Sequence, residues 1–402
     1  MRPARDPELS LAPVNLRFTT AGESHGPGLV AVVEGLPAGL VLDREALDRD
    51  MARRQLGHGR GGRMKIESDA VEIRSGVRHG RTLGSPIAVL VANRDYPNWD
   101  VRMNPWPVEG SDEVEESHLP RPGHADLAGL HKYGFTDVRN VLERASARET
   151  AARVAAGSLA KGFLGALGVS VHSHVTQIAS VMAPERPDLG PDDFAGVDES
   201  PVRCLDEKAS AAMVAEIDRL RKENESLGGK FEVRAFGLVP GLGSYVSWDR
   251  KLDGRLAQAV CSIQSVKGVS LGEAWDVAGR PGSEAHDEIF YDQERGWHRQ
   301  TNHAGGLEGG MTNGAPLVVQ AAIKPISTMT QPLRSVDTET KEPAQAMRER
   351  TDSTVVPAAG VVAEAMVALV LADAYREKFG GDHLDDVLAA VAAYEERIGW
   401  RR

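Results

Sequence analysis

Residues 355–372 form the most apolar stretch of the chain, and no other segment restricts the fold as strongly. The stretch contains Pro357, Gly360 and Glu364, and it is shorter than the ~20 mostly apolar residues that a membrane span requires. It therefore reads as a buried helix, and a buried helix needs a core around it. Hydrophobic residues make up 41% of the 402 positions and charged residues 26%, a balance usual for soluble globular proteins. A cytoplasmic protein without a membrane partner is expected. Residues 1–14 are Pro-rich, mixed in charge and too polar for a signal peptide, so they read as a mobile tail. Residues 15–402 are read as one domain.

Strand-like segments at 16–20, 29–33, 64–76, 87–91 and 315–322 are interspersed with helical ones. The helical segments are 44–56, with Leu47, Met51 and Leu56 as the apolar side, then 144–167, 208–224 closed by Gly228-Gly229, 252–266 and 357–379. Residues 94–122 read as a long loop rich in Pro and acids. Without strict βαβ alternation, the pattern favours an α+β layered fold over a doubly wound sheet.

The net charge of -11 argues against a nucleic-acid partner, since neutralising phosphates takes clustered Lys and Arg. It does not exclude a local cationic pocket. Cys204 and Cys261 match no metal-ligand spacing and read as small buried hydrophobes. His172 and His174 share a strand face without a third ligand nearby in sequence, so no metal site is expected.

Six segments carry polar chemistry. Gly57, Gly59 and Gly62 spell G-x-G-x-x-G, but a helix precedes and a strand follows, the reverse of a dinucleotide fingerprint. Arg53, Arg54, Arg60, Arg63 and Lys65 surround that loop, which is either an exposed basic turn or an anion clamp. His25 sits in Gly22-Glu23-Ser24-His25-Gly26, where flanking glycines leave it unshielded and able to exchange a proton near neutrality. His124 follows the Pro122-Gly123 turn and is either a ligand contact or a satisfied core histidine. In Glu143-Arg144-Ala145-Ser146-Ala147-Arg148-Glu149-Thr150, Arg144 and Arg148 fall four apart at the start of an Ala-rich helix. A Gly-rich run from Asn302 through Gly309 to Gly314 precedes a strand and then Lys324-Pro325-Ile326-Ser327-Thr328; ligand contact and plain hairpin turns both fit it. Arg350-Thr351-Asp352 precedes the apolar helix, as a ligand contact with a base or as a surface ion pair.

In this order and spacing the segments resemble the chorismate synthase family, from residue 16 to about 394. The most specific pieces are Gly22-Glu23-Ser24-His25-Gly26, Ser146-Ala147-Arg148-Glu149-Thr150, and Arg350-Thr351-Asp352 with Glu364 downstream. The resemblance implies a β-α-β sandwich of antiparallel sheets with flanking helices, assembled as a homotetramer. It implies conversion of 5-enolpyruvylshikimate 3-phosphate to chorismate and phosphate, the last shared step toward the aromatic amino acids, with reduced FMN as cofactor and a flavin-reducing system as partner. On the same basis His25 is the acid at the leaving phosphate, His124 lies near flavin N1, and Asp352 relays a proton from flavin N5. Arg54, Arg60 and Arg148 fall to the substrate or NADP side. Flavin contacts fall to Arg144, Ala145, Ser146, Gln264, Ser265, Gly309, Lys324, Pro325, Ile326, Ser327, Thr328 and Arg350. Gln264-Ser265 stands where many relatives have Asn-Ala. Two other readings are an enzyme that also reduces FMN with NADPH, and a non-catalytic relative that binds flavin or anions.

Overall fold

The computed structural model describes residues 16–61, 69–348 and 352–400. The tail expected at 1–14, Gly62, Arg63, Lys65, the start of the strand expected at 64–76, Arg350 and Thr351 lie outside the described residues.

Two antiparallel sheets enclose a helical layer. In the four-stranded sheet the order is Arg17–Ala21, Gly28–Glu34, Ile87–Ala92, Val71–Ile73. In the five-stranded sheet it is Val266–Leu271, Leu317–Ile323, Gly229–Phe236, Ser170–Ile178, Val181–Met182. Gly28–Glu34 alternates buried and half-buried positions, so Leu29, Ala31 and Val33 face the helices while their neighbours face outward. The layer between contains helices Arg44–Gln55, Thr150–Ala166 and Val356–Phe379. The Thr150 helix packs on the four-stranded sheet, the Val356 helix on the five-stranded one, and the two helices pack along each other. This is an α+β sandwich of β-α-β type, as the resemblance implied.

The small side chains of the Thr150 helix explain how closely the two helices approach. A Cβ at Gly157 would collide with the Cβ and backbone of Ala365. Val356–Phe379 is 24 residues long and apolar enough to cross a membrane, yet 89% of its most apolar window is buried between the sheets.

Several sequence expectations need correcting. The helix expected over 144–167 is two helices, Arg139–Ala145 and Thr150–Ala166. Ser146 takes an extended backbone, its side chain accepts the Arg148 N–H, and Ala147–Glu149 forms a 3-10 turn. Arg144 and Arg148 therefore do not share a helical face. The helix at 252–266 ends at Cys261, and Val266 already begins a strand. The loop at 94–122 contains a short helix, Asp100–Met103. Glu207–Lys222 ends well before Gly228-Gly229, with Asn224 in the left-handed region at φ 62°. Leu56 and Cys261 are exposed.

Glu364 ties the layers together. It lies 1% exposed in the middle of the apolar helix. Its two oxygens accept from Arg53 of the Arg44 helix, both at 2.8 Å. Lys161 of the Thr150 helix reaches it at 3.0 Å, and Ser173 of the five-stranded sheet at 2.7 Å. Arg203, fully buried, donates at 3.2 Å. Asp50 accepts from both Arg53 and Lys161, so cations and carboxylates interleave. Burial alone would raise the Glu364 carboxyl, but the charges of Arg53, Lys161 and Arg203 outweigh it and hold the group well below its ordinary value of 4.5.

Removing that charge leaves buried cations uncompensated. We expect Glu364→Gln to lose about 3 kcal/mol or more of unfolding free energy at pH 7, read from urea denaturation. A depressed carboxyl stabilises the fold above its unfolded pKa, and that stabilisation is lost as the pH falls through its folded pKa. The gap between wild type and variant should thus narrow below pH 4.5. An unchanged urea midpoint at pH 7 would contradict this account.

Candidate active site

A cavity of about 720 Å³ opens beside the N-terminal ends of the Thr150 and Val356 helices. Its wall includes His25, His124 and Asp352, together with Arg54, Arg60 and Arg148. Segments up to 327 residues apart in sequence thus converge on one space.

His25 stands on the turn after Arg17–Ala21. That turn requires glycine at position 22, where φ is +103° and a Cβ would strike the carbonyl oxygen of Gly28. The backbone N–H of His25 donates to Glu143 Oε2 at 2.8 Å, and its ring Nδ1 lies 3.0 Å from both Glu143 oxygens. The ring stacks on Trp99 with centroids 3.9 Å apart. Glu143 also accepts from Arg139 at 2.7 Å. Burial pushes the Glu143 carboxyl up, but the His25 hydrogen bonds outweigh it and bring the group below its ordinary range.

His124 is held by a different carboxylate. Its Nδ1 bonds to Asp126 Oδ1, and Asp126 is fully buried. Arg121 donates through Nε to Asp126 Oδ2 at 2.8 Å and through its other end to Thr328 Oγ1 at 3.1 Å. Against the upward pull of burial, His124 and Arg121 hold Asp126 far below the ordinary carboxylate range. Both histidines therefore engage a buried carboxylate at Nδ1, and each lines the cavity.

The cations are grouped. Arg54 donates to Asp69 Oδ2 at 2.6 Å, and Arg148 binds the other oxygen of the same carboxylate. Arg148 is also fixed by Asn93 Oδ1 at 3.0 Å. Two guanidiniums sharing one carboxylate leave positive charge in excess. Arg60 pairs with Asp352 Oδ2 at 3.0 Å, and the Gly61 N–H donates to Asp352 Oδ1 at 2.5 Å. Among the described residues five cations line the cavity, Arg54, Arg60, Arg121, Arg148 and Lys324, against two carboxylates, Asp95 and Asp352. Such a site favours an anion with several charges.

The remaining wall mixes polar and apolar side chains. Ala145, Ser146, Gln264, Ser265, Lys324, Ile326, Ser327 and Thr328 line it alongside Ile263, Val355, Ala359 and Val362. Gln264 donates to Glu149 at 3.1 Å, and among the described residues its buried Oε1 has no hydrogen-bond partner. Burial and the nearby Lys267 lower the pKa of Lys324. Pro325 lies between lining residues without joining the wall. Arg144 turns away from the cavity and donates to the Gly22 and Thr20 carbonyls. Gly309 occupies the tight turn between Leu307–Glu308 and Met311–Thr312, where a side chain would meet nothing within 4 Å among the described residues. Outside the cavity wall, His172 packs against Phe194, and His174 pairs with Glu232 at 3.3 Å.

Comparison with known proteins converges on one family. The profile described as Chorismate synthase matches residues 16–375. The chain belongs to the chorismate synthase family. The chorismate synthase of Rubrobacter xylanophilus is 58% identical over 384 residues, covering 95% of this chain and 97% of the relative. That of Symbiobacterium thermophilum is 56% identical, covering 96% and 100%. A solved structure, "Crystal Structure of Chorismate Synthase", superposes with a TM-score of 0.77 at 40% identity, over 95% of this chain and 98% of that one.

Sequence reasoning missed Asp69, Trp99, Arg121, Asp126 and Glu143 as site residues. Arg121 and Asp126 stood in the same short motif as His124, and Glu143 adjoined Arg144, so spacing could have pointed to them. Asp69 and Trp99 gave no local signal, because their partners are distant in the chain.

The geometry separates the two arginines of the 143–150 segment. Arg148→Met should weaken inorganic phosphate binding about tenfold or more, the worth of a charge-assisted hydrogen bond. Arg144→Met should change it less than about twofold. Calorimetric titration checks both, and equal losses would contradict the assignment.

Proposed function

We propose that the protein catalyses the 1,4-elimination of phosphate from 5-enolpyruvylshikimate 3-phosphate, giving chorismate with reduced FMN as the cofactor. Family membership supports the reaction, and one observation carries the site: a single cavity joins grouped cations, two carboxylate-tethered histidines and the apolar side chains Ile263, Val355, Ala359 and Val362. The reaction breaks a C–O bond, whose electron pair leaves with phosphate. It also removes a proton from carbon, and that C–H electron pair stays behind to form the new double bond. There is no net redox change.

Arg54, Arg60 and Arg148 bind the substrate's phosphate and carboxylates, an assignment supported by their excess charge around Asp69 and Asp352. Desolvating the anion inside a fixed cationic frame strengthens each contact. His25 holds a proton at Nε2 for the departing phosphate, because Glu143 occupies Nδ1. His124, fixed by Asp126, supplies a second proton site on the cofactor side. Asp352 accepts a proton through a carboxylate kept in place by Arg60 and the Gly61 N–H.

The residues present fit a flavin. The orphaned Gln264 Oε1 calls for an N–H donor, and Ile263, Val355, Ala359 and Val362 offer apolar surface to a flat ring. Ala145, Ser146, Gln264, Ser265, Lys324, Ile326, Ser327 and Thr328 would hold it. When bound, reduced flavin supplies transient electron density and a proton acceptor at N5. Arg144, Pro325 and Gly309 do not line this chain's cavity and take no direct part in the reading.

The protein is read as one catalytic domain in cytoplasmic aromatic amino-acid biosynthesis, served by a separate flavin-reducing system. A homotetramer follows from the family resemblance, and exposed aromatic side chains such as Trp248 at 85% and Trp275 at 75% are available for subunit contacts.

An anaerobic assay with substrate and reduced FMN tests the function, with chorismate as readout. We expect turnover with reduced FMN and none without flavin. His25→Ala and His124→Ala should each lose roughly 10²–10⁴-fold, the usual worth of a positioned acid or base. Full turnover in flavin-free buffer would overturn the reaction, and near-wild-type rates in either variant would overturn that histidine's role.

A further inference from the structure

We propose that Glu143 is the positioning residue of His25: it fixes the proton-bearing nitrogen of the ring and turns Nε2 toward the cavity. The proposal rests on the reading of His25 as the acid at the departing phosphate.

Three contacts carry it. Glu143 takes the His25 backbone N–H at 2.8 Å and ring Nδ1 at 3.0 Å, so one carboxylate sets both the main chain and the ring of the same residue. In the other direction, the Ser24 N–H donates to the Glu143 backbone carbonyl at 3.0 Å, locking the turn to the Arg139–Ala145 helix. Trp99 covers one face of the ring. Rotation about the ring's bond to Cβ is therefore closed off on the Glu143 side and the Trp99 side.

The chemistry follows from the acceptor. A carboxylate accepts only, so Nδ1 must carry hydrogen whether the ring is neutral or charged. Nε2 is then the site that gains or loses the second proton. The same contact is an ion pair whenever the ring is charged. Other charged groups bear on it. Arg139 backs Glu143 at 2.7 Å and lies over Trp99, as does Arg102 three residues further along the chain from Trp99. Arg54, Arg148 and Asp95 line the same cavity, and Asp95 accepts from the Trp99 ring N–H at 3.1 Å. Glu143 is the anion in direct contact with the ring, so its charge sets the sign of the effect.

The Trp99 stack makes the test independent of turnover, because a protonated imidazole quenches a tryptophan stacked on it. Tryptophan emission is titrated with pH in wild type, His25→Ala, Glu143→Gln and Glu143→Asp. The transition present in wild type and absent in His25→Ala belongs to this ring. In Glu143→Gln, which keeps an acceptor for the His25 N–H, it should move to lower pH by about one unit or more. In Glu143→Asp, which keeps the charge, it should stay nearer wild type. An unmoved transition in Glu143→Gln, or equal shifts in both variants, overturns the proposal. In the kinetic arm, Glu143→Gln should lower kcat with little change in KM, and the Glu143→Gln/His25→Ala pair should be no slower than His25→Ala alone. Multiplying losses would show that Glu143 acts elsewhere. Were His25→Ala as fast as wild type, the reading of His25 as acid would fall, while the emission titration would still decide the positioning.

Discussion

A buried carboxylate, Glu364, within a 24-residue apolar helix is the constraint on which the rest of the architecture depends. Glu364 cannot be buried alone, since an unpaired charge in a dry interior costs several kcal/mol. It is satisfied only if the Arg44 helix delivers Arg53, the Thr150 helix delivers Lys161, and the five-stranded sheet delivers Ser173 beside Arg203. Apolar attraction is non-directional, whereas each donor of this network must meet the carboxylate at hydrogen-bonding distance. The interaction therefore fixes the relative positions of the helices, and the helices fix what grows from their ends.

The cavity is the consequence. Arg53 serves the buried network, and Arg54, the next residue, points into the cavity wall. The break at Ser146 turns the chain so that Arg148 meets Asp69 while Arg144 is left outside. Asp352 precedes the Val356 helix and meets Arg60 beyond the end of the Arg44 helix. Each catalytic candidate sits at an end or a break of an element that the core has already placed. The rigid interior supplies precision, and the polar ends supply chemistry.

Much of this was legible in the chain. Alternating and helical periodicities located the strands of the four-stranded sheet, Leu317–Ile323 and most of the long helices because burial drives them, but Gly229–Phe236 and Val266–Leu271 of the five-stranded sheet and the helix Leu384–Ile398 were missed. The glycine-framed His25 turn was visible because glycine tolerates the φ of +103° at position 22. The break at Ser146 was hidden. Alanine-rich sequence on either side carries a helical pattern straight through it, and only the Arg148 side chain seeking Asp69, together with the Ser146 cap, decides otherwise. The carboxylates behind the site, Asp69, Asp126 and Glu143, were hard to single out because acidic residues are common and their roles depend on contacts across the fold. Arg144 shows the opposite failure: a motif neighbour that the backbone turns away.

The central claim is that one cavity brings the substrate's phosphate to His25 and the flavin to the apolar wall around Gln264. A crystal structure of the protein with 5-enolpyruvylshikimate 3-phosphate and FMN tests it most directly. The account predicts the phosphate within hydrogen-bonding distance of His25 Nε2, the substrate's anionic groups among Arg54, Arg60 and Arg148, and the flavin ring against Gln264 and Lys324. A phosphate bound away from His25, or a flavin seated outside this cavity, would contradict it.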